Sequence, residues 1–320
     1  MNIYKRYKEF GGFRLMRTYW RMGVIPTAVH ESLKYLFRRT TMGRMYISIM
    51  RRVVPVLEQQ YRPLLWKLKE KYGDEKYRSE SEQTKSRVVW FCWLQGLDNA
   101  PEIVHVCLRS QQKVFGEDRV VVIDYRNYTD YVTLPDYFVR KYEQGHIPHA
   151  HFTDLLRLEL LAKHGGTWMD ATVLCTSADY PPRVMDCDLF LFQYPHKEGH
   201  LGTVSSWFIT SRPKNPVILA ARDLFRQYWH DYDCTVDYYL IHQLFAWAFH
   251  MFPNEYLAMP WGSSLAAIEL GRRMKNGERY DAQWMEHKLE HSCFHKLPLR
   301  IPKSIMNKPD GYYRHIVALA

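Results

Sequence analysis

The chain has 320 residues, with 44 Lys+Arg against 34 Asp+Glu, and its 47% hydrophobic and 24% charged residues are ordinary globular values that exclude wholesale disorder. The length fits two domains, or one domain of roughly 230 residues with an appendage. The net charge of +10 is localised: residues 1–87 hold 20 Lys+Arg against 8 Asp+Glu, net +12, and residues 88–320 hold 24 against 26, net −2. A basic balance argues for an anionic partner, and here the argument concerns the first quarter only. Aromatic residues reach 15%, with 23 Tyr and 10 Trp, which suits a sugar- or base-stacking surface and a thick core equally well. Six cysteines show no Cys-x-x-Cys spacing, so a zinc ribbon is unsupported and buried thiols in a reducing compartment are expected. Arg14, Arg17 and Arg21 interrupt any signal-peptide core, and no run of about 18 apolar residues exists. The expected location is the cytoplasm, peripheral on the cytosolic face of a membrane.

Residues 1–72 read as helices. Val53, Val54, Leu57, Tyr61, Leu64, Leu65 and Leu68 recur at helical spacing with Arg and Lys between them, and Gly11-Gly12, Gly23, Pro26 and Gly43 divide the earlier part. Such a basic amphipathic array either lies on an anionic bilayer or packs on its own body or a partner subunit. Nucleic acid is not expected, since no recognition module accompanies the charge. Residues 73–87 (GDEKYRSESEQTKSR) are polar and read as a linker. From Arg87 to Trp93 a continuous apolar run predicts a buried parallel strand, a helix follows over about 100–115, and Arg119 to Ile123 predicts a second buried strand. Strand, helix, strand opens an α/β unit, whose ligands bind at the carboxyl ends of the strands.

Residues 148–176 are the densest segment. A helix is predicted from Ala150 to Lys163, with Asp154 and Arg157 on one face, either as a surface ion pair or aimed at a ligand. Gly165 and Gly166 end that helix. Thr167-Trp168-Met169 has room only for a short strand, followed by Asp170-Ala171-Thr172. A carboxylate at the end of a buried strand is expensive unless it is paired, hydrogen-bonded or metal-bound, so Asp170 is either a capping or turn residue or a ligand of a hard divalent ion that bridges a diphosphate.

AHFTDLLRLELLAKHGGTWMDATV (Ala150 to Val173) resembles the core of the bacterial capsular polysaccharide synthesis glycosyltransferases, which are similar to glycosyltransferase family 32 and its S-D-x-x-R…G-G-x-Y-x-D-x-D pattern. VVWFCWLQGLDNAPEIVHVCLRS (88–110), SSWFITSRPKNPVI (205–218), VDYYLIHQLF (236–245) and SCFHKLPLR (292–300) resemble further blocks in order, so the resemblance covers about residues 87–300. It implies an α/β fold of the GT-A type, a Rossmann-like nucleotide-diphospho-sugar transferase domain at 87–320 behind a basic helical extension and linker at 1–86. It also implies transfer from a nucleotide-sugar, a UDP-sugar, to a glycan acceptor with retention, in capsular or other surface polysaccharide synthesis, with Mn2+ or Mg2+ as cofactor.

Residue by residue, the resemblance implies donor contacts for Trp93, Gln95, Asp154, Arg157, Asp170 and Thr172. It implies metal contacts for Asp170 and His295, and a diphosphate contact for Lys296. Position 172 departs from the pattern, since Thr172 offers a hydroxyl where the second carboxylate stands. Trp207 is either a sugar-stacking residue of the donor site or core. Tyr238 and His242, four apart on a predicted helix, share a face and could meet sugar or acceptor, with Gln243 beside them. Asp170, Lys296 and His242 are the expected catalytic residues, in a front-face substitution that needs no carboxylate nucleophile. The acceptor is expected to be lipid-linked, reached through an anionic membrane surface met by residues 1–72. The competing reading is a non-catalytic membrane-surface scaffold that keeps a glycosyltransferase fold.

Overall fold

A computed structural model describes residues 11–73, 86–195 and 204–319. The predicted linker falls largely on residues 74–85, outside the described residues. The helices are α1 (Phe13–Arg21), α2 (Ile25–Leu36), α3 (Met42–Tyr72), α4 (Glu102–Phe115), α5 (Asp136–Glu143), α6 (His149–His164), α7 (Pro216–Asp231), α8 (Leu240–Met251), α9 (Pro253–Ala258), α10 (Ser264–Asn276), α11 (Ala282–His291), α12 (Lys303–Met306) and α13 (Tyr312–Ala318). The strands are β1 (Val89–Cys92), β2 (Val120–Ile123), β3 (Gly166–Asp170), β4 (Val173–Cys175), β5 (Leu189–Gln193), β6 (Val204–Ser211) and β7 (Phe294–Lys296). No described helix is long and apolar enough to cross a membrane.

The described residues form two compact units. Among the described residues, 11–73, 134–158 and 216–253 make one, and 86–133, 159–195, 204–215 and 254–319 make the other. Helix α6 contributes its residues up to Leu158 to the first unit and the remainder to the second.

The first unit is helical and is organised by α3. Its predicted apolar stripe is buried: Val53, Leu57, Tyr61, Leu65 and Leu68 face inward, and α3 packs on α7 and α8. Of the two sequence readings for this stripe, packing on the chain's own body is the one observed. Three tyrosines reinforce it. Tyr72 donates to Asp223 (2.6 Å), Tyr61 to Asp231 (3.2 Å) and Tyr46 to Asp237. Tyrosines that descend along α3 thus meet carboxylates that ascend from α7 to the loop before α8. Burial, reinforced by the facing carboxylates, raises all three phenol pKa values, so the hydroxyls remain donors. Gly43 does not break the chain as predicted. It lies in the first turn of α3, which Thr41 caps by accepting the Arg44 N–H at 3.3 Å.

His151 on α6 sits fully buried between Phe225 and Trp229, with ring centroids 5.6 and 5.5 Å away. Its Nε2 donates to the Tyr238 carbonyl at 3.3 Å. Burial pulls its pKa from 6.5 down to about 4. The unfolded chain therefore takes up this proton first, and the contribution to stability is full above about 6.5 and lost as pH falls toward 4. Urea unfolding at neutral pH and at about pH 5 is expected to show this loss, and His151→Phe is expected to make it shallower by up to one proton.

The second unit holds a five-stranded sheet of order β2-β1-β3-β6-β5. β1 pairs parallel with β2 and with β3, as the apolar runs predict, while β6 runs antiparallel to both β3 and β5. β1 is buried along its whole length, which is why it reads as a continuous apolar run rather than an alternating one. A small second sheet pairs β4 with β7, antiparallel. On α4, Gln111 donates to the Val173 carbonyl (2.9 Å) and Ser110 accepts the Cys175 N–H (3.0 Å), so buried polar side chains satisfy β4 where it has no strand partner.

The predicted glycine stop lies between α6 and β3. Gly165 and Gly166 both have positive φ, 64° and 91°. A Cβ at Gly166 would stand 2.5 Å from the Val88 carbonyl oxygen, and one at Gly165 2.6 Å from Pro213 Cδ. Gly166→Ala is expected to destabilise the protein by about 2 kcal/mol or more, read as a lowered denaturant midpoint.

Candidate functional site

The carboxyl ends of β1, β2 and β3 lie side by side, since Cys92 pairs with Ile123 on one side and with Asp170 on the other. In such a sheet these ends form the ligand-binding edge. Trp93 follows β1 and is half-buried against the core, and Gln95 is exposed in the turn that the Gly96 N–H closes onto the Trp93 carbonyl at 2.9 Å. Beside them Asp124 follows β2. Its carboxylate accepts from Arg126 Nη2 at 2.7 Å and Nε at 3.0 Å, and these bonds hold its pKa below the ordinary carboxylate range. Arg126 is otherwise exposed at this edge. The sequence reading missed this pair, although an Asp just after a buried strand is the same signal that marked Asp170.

Asp170 is the last residue of β3. Its Oδ1 accepts from Trp168 Nε1 at 3.0 Å and its Oδ2 from Lys296 Nζ at 2.7 Å. Lys296 also donates to Thr172 Oγ1 at 2.8 Å. Strand alternation places Trp168 and Asp170 on one face, a positioning role that the i,i+2 spacing could have revealed. Lys296 is 126 residues away in sequence and arrives through pairing of β7 with β4, which sets Lys296 opposite Val173. Asp170, Thr172 and Lys296 are therefore brought together as one cluster, partly open to solvent at the two charges.

His295 is not in that cluster. Neighbours on a strand point to opposite faces; His295 is fully buried, with its Nε2 3.2 Å from Thr176 Oγ1. Burial, with Lys288 nearby, lowers its pKa to about 3, so it is neutral. This arrangement does not fit a divalent cation held by Asp170 and His295. The Asp170 carboxylate already meets an ammonium, Thr172 accepts from the same ammonium, and the imidazole is buried off the cluster, its Nε2 at Thr176 and its Nδ1 without a hydrogen-bond partner among the described residues. Among the described residues no three His, Cys, Asp or Glu side chains gather as a metal site.

Trp207 lies within β6, buried and stacked on Phe192 at 4.5 Å, so its ring faces are taken up by the core rather than presented to a sugar.

The remaining expected site residues lie in the helical unit. Asp154 and Arg157 form an ion pair at 3.1 Å, and both are buried, so the surface-pair reading is corrected. Tyr238 does not share a helix with His242. The Asp237 carboxylate accepts the Tyr239 N–H at 2.7 Å, which holds a turn, and α8 begins only at Leu240. It is Tyr239 that stacks on His242, with ring centroids 5.5 Å apart, while Gln243 is buried.

Breaking a buried pair leaves a charge without its partner. Asp154→Ala is expected to destabilise the protein by about 3 kcal/mol, far more than the few tenths of a surface i,i+3 pair, measured by denaturant unfolding.

The sequence profile of a family described as "Capsular polysaccharide synthesis protein" matches residues 50–316. The match begins inside α3, well before the start at residue 87 that the motifs suggested. No curated protein matches the chain. Among solved structures, "PaToxG Glycosyltransferase" is similar at a TM-score of 0.39 and 13% identity, over 83% of this chain and 96% of that one, a likeness too distant to carry an argument.

Proposed function

The chain belongs to the capsular polysaccharide synthesis family, and we propose that it is a glycosyltransferase. It moves a sugar from a UDP-sugar to a glycan acceptor, lipid-linked, at the cytosolic face of a membrane, through a sheet unit of the GT-A type. The observation that carries the reading is the ammonium of Lys296, held by Asp170 and Thr172 at the carboxyl edge of the parallel strands. A lysine has three donors, and these two bonds use two of them. The third remains for an anionic ligand, and the carboxyl edge of parallel strands is where sheets of this kind bind nucleotide ligands, so the anion proposed is the diphosphate of the donor.

In the proposed reaction the bond from the anomeric carbon to the diphosphate breaks, and the acceptor hydroxyl bonds to that carbon from the same side, giving retention. The acceptor proton goes to a diphosphate oxygen. Charge develops on the leaving diphosphate, and a cation fixed beforehand stabilises it without reorganisation. Lys296 is the catalytic cation, with Asp170 and Thr172 fixing its position and Trp168 fixing Asp170. Trp93, Gln95 and Arg126 lie along the same edge and are proposed to contact the nucleotide. No step is routed through a metal held by the chain, because the donor set does not fit one.

Nucleotide release from a panel of nucleotide-sugars, with acceptor present, is the test. Lys296→Met is expected to lower kcat by about a hundredfold or more with a smaller change in KM, and Asp170→Ala to abolish transfer while circular dichroism is retained. Chelation by EDTA is expected to leave the rate unchanged. Activity lost in EDTA and restored by Mn2+ would overturn the lysine assignment. Calorimetry with no UDP binding at all would favour the scaffold reading.

A further inference from the structure

We propose that the exposed face of α1 and α2 is a docking surface for an anionic lipid bilayer. The inference is independent of the transfer chemistry. It also differs from the sequence expectation, because the periodic stripe that suggested a membrane face lies on α3 and is buried.

Helix α1 leaves Phe13 and Trp20 80% and 73% exposed, two helical turns apart. Arg17 lies between them on that face, and Arg14 and Arg21 are exposed beside them. The opposite face is anchored: Leu15, Thr18 and Tyr19 are buried, Thr18 Oγ1 lies 3.3 Å from Cys234 Sγ, and Tyr19 donates to the Val236 carbonyl at 3.5 Å. The aromatic face is thus held outward by contacts on the other side.

Helix α2 repeats the pattern. Val29, Leu33, Leu36 and, just past the helix end, Phe37 follow an i, i+4, i+7, i+8 stripe, and all four are exposed, Leu36 at 63% and Phe37 at 71%. Arg38 then turns the chain with φ of 56°, and Arg38 and Arg39 are exposed beside Phe37. Residues 11–44 contain seven Lys+Arg and one carboxylate, Glu31, which is buried and paired with Lys34 at 2.9 Å. The outward surface therefore carries large apolar side chains and cations, with no exposed carboxylate.

Charge chooses the occupant. Two copies of the chain pressed together through this face would oppose arginine to arginine. A nucleic-acid strand would pair with the arginines and stack on the aromatics, but it has no use for Val29, Leu33 and Leu36. An anionic bilayer satisfies both components, with headgroup charge for the arginines and the acyl boundary for Phe, Trp and Leu. Six large apolar side chains left exposed on two successive helices, Phe13, Trp20, Val29, Leu33, Leu36 and Phe37, are unusual on a surface that meets only water. These helices also precede residue 50, where the family match begins.

The test is co-sedimentation of the full chain with vesicles of phosphatidylcholine and with vesicles containing an equal share of phosphatidylglycerol, with light scattering in parallel. Binding is expected to the anionic vesicles only and to weaken with salt. Arg17→Glu with Arg21→Glu is expected to lower it more than tenfold, and Trp20→Ser with Phe37→Ser to lower it comparably. Circular dichroism and the unfolding midpoint should be unchanged in both, since these side chains point outward. Equal binding to neutral vesicles, or no binding to either, would overturn the proposal. So would a dimer that Trp20→Ser with Phe37→Ser dissociates without any vesicle binding.

Discussion

A carboxylate at the end of a buried strand must find a cation, and in this protein the cation is Lys296. Asp170 leaves β3 where the parallel strands present their carboxyl ends, and its two oxygens are taken by an indole N–H and an ammonium. That pairing has structural consequences well beyond two side chains. Lys296 reaches Asp170 because β7 is registered against β4, and β4 is held in turn by Gln111 and Ser110 of α4. Gly165 just before β3 and Gly166 at its first position fix where the strand starts and so where Asp170 ends it. Each of these local devices sets the position of one charge cluster.

The cluster bears on how charge is handled in this sheet. At this sheet edge one carboxylate, one hydroxyl and a lysine stand together, and the proposed reaction gives the fixed positive charge to that lysine. An ammonium is a permanent part of the chain, whereas a metal must be gathered by several ligands at once. On that proposal the threonine at 172 is not a missing ligand. It is an acceptor that the lysine uses.

The helical unit obeys a different constraint. Its long helix is amphipathic, and its apolar stripe is satisfied internally, with tyrosine hydroxyls spaced so that each finds an acid on the segment it packs against. The stripe was legible in the sequence, and so was the choice between membrane and protein as its cover. The choice itself was not, because the covering helices α7 and α8 lie more than 140 residues away along the chain. The basic charge was legible too, but it could not be assigned to a surface until burial showed which apolar residues of α1 and α2 were left outside.

Much of the sheet could be read directly. Continuous apolar runs gave β1 and β2, the glycine pair gave the end of α6, and Asp170 stood out for its place after a short strand. These features are local, since periodicity, glycine conformation and the expense of a buried carboxylate act within a few residues. The sequence by itself determined the element types, the charge partition and the family-specific core. Only the tertiary structure decided the partners: Lys296 rather than His295 for Asp170, burial rather than exposure for Asp154–Arg157, core rather than sugar for Trp207, and Tyr239 rather than Tyr238 for His242. Partnership depends on strand register, on where a helix begins, and on which face a neighbour covers, and those are settled by residues far apart in the chain.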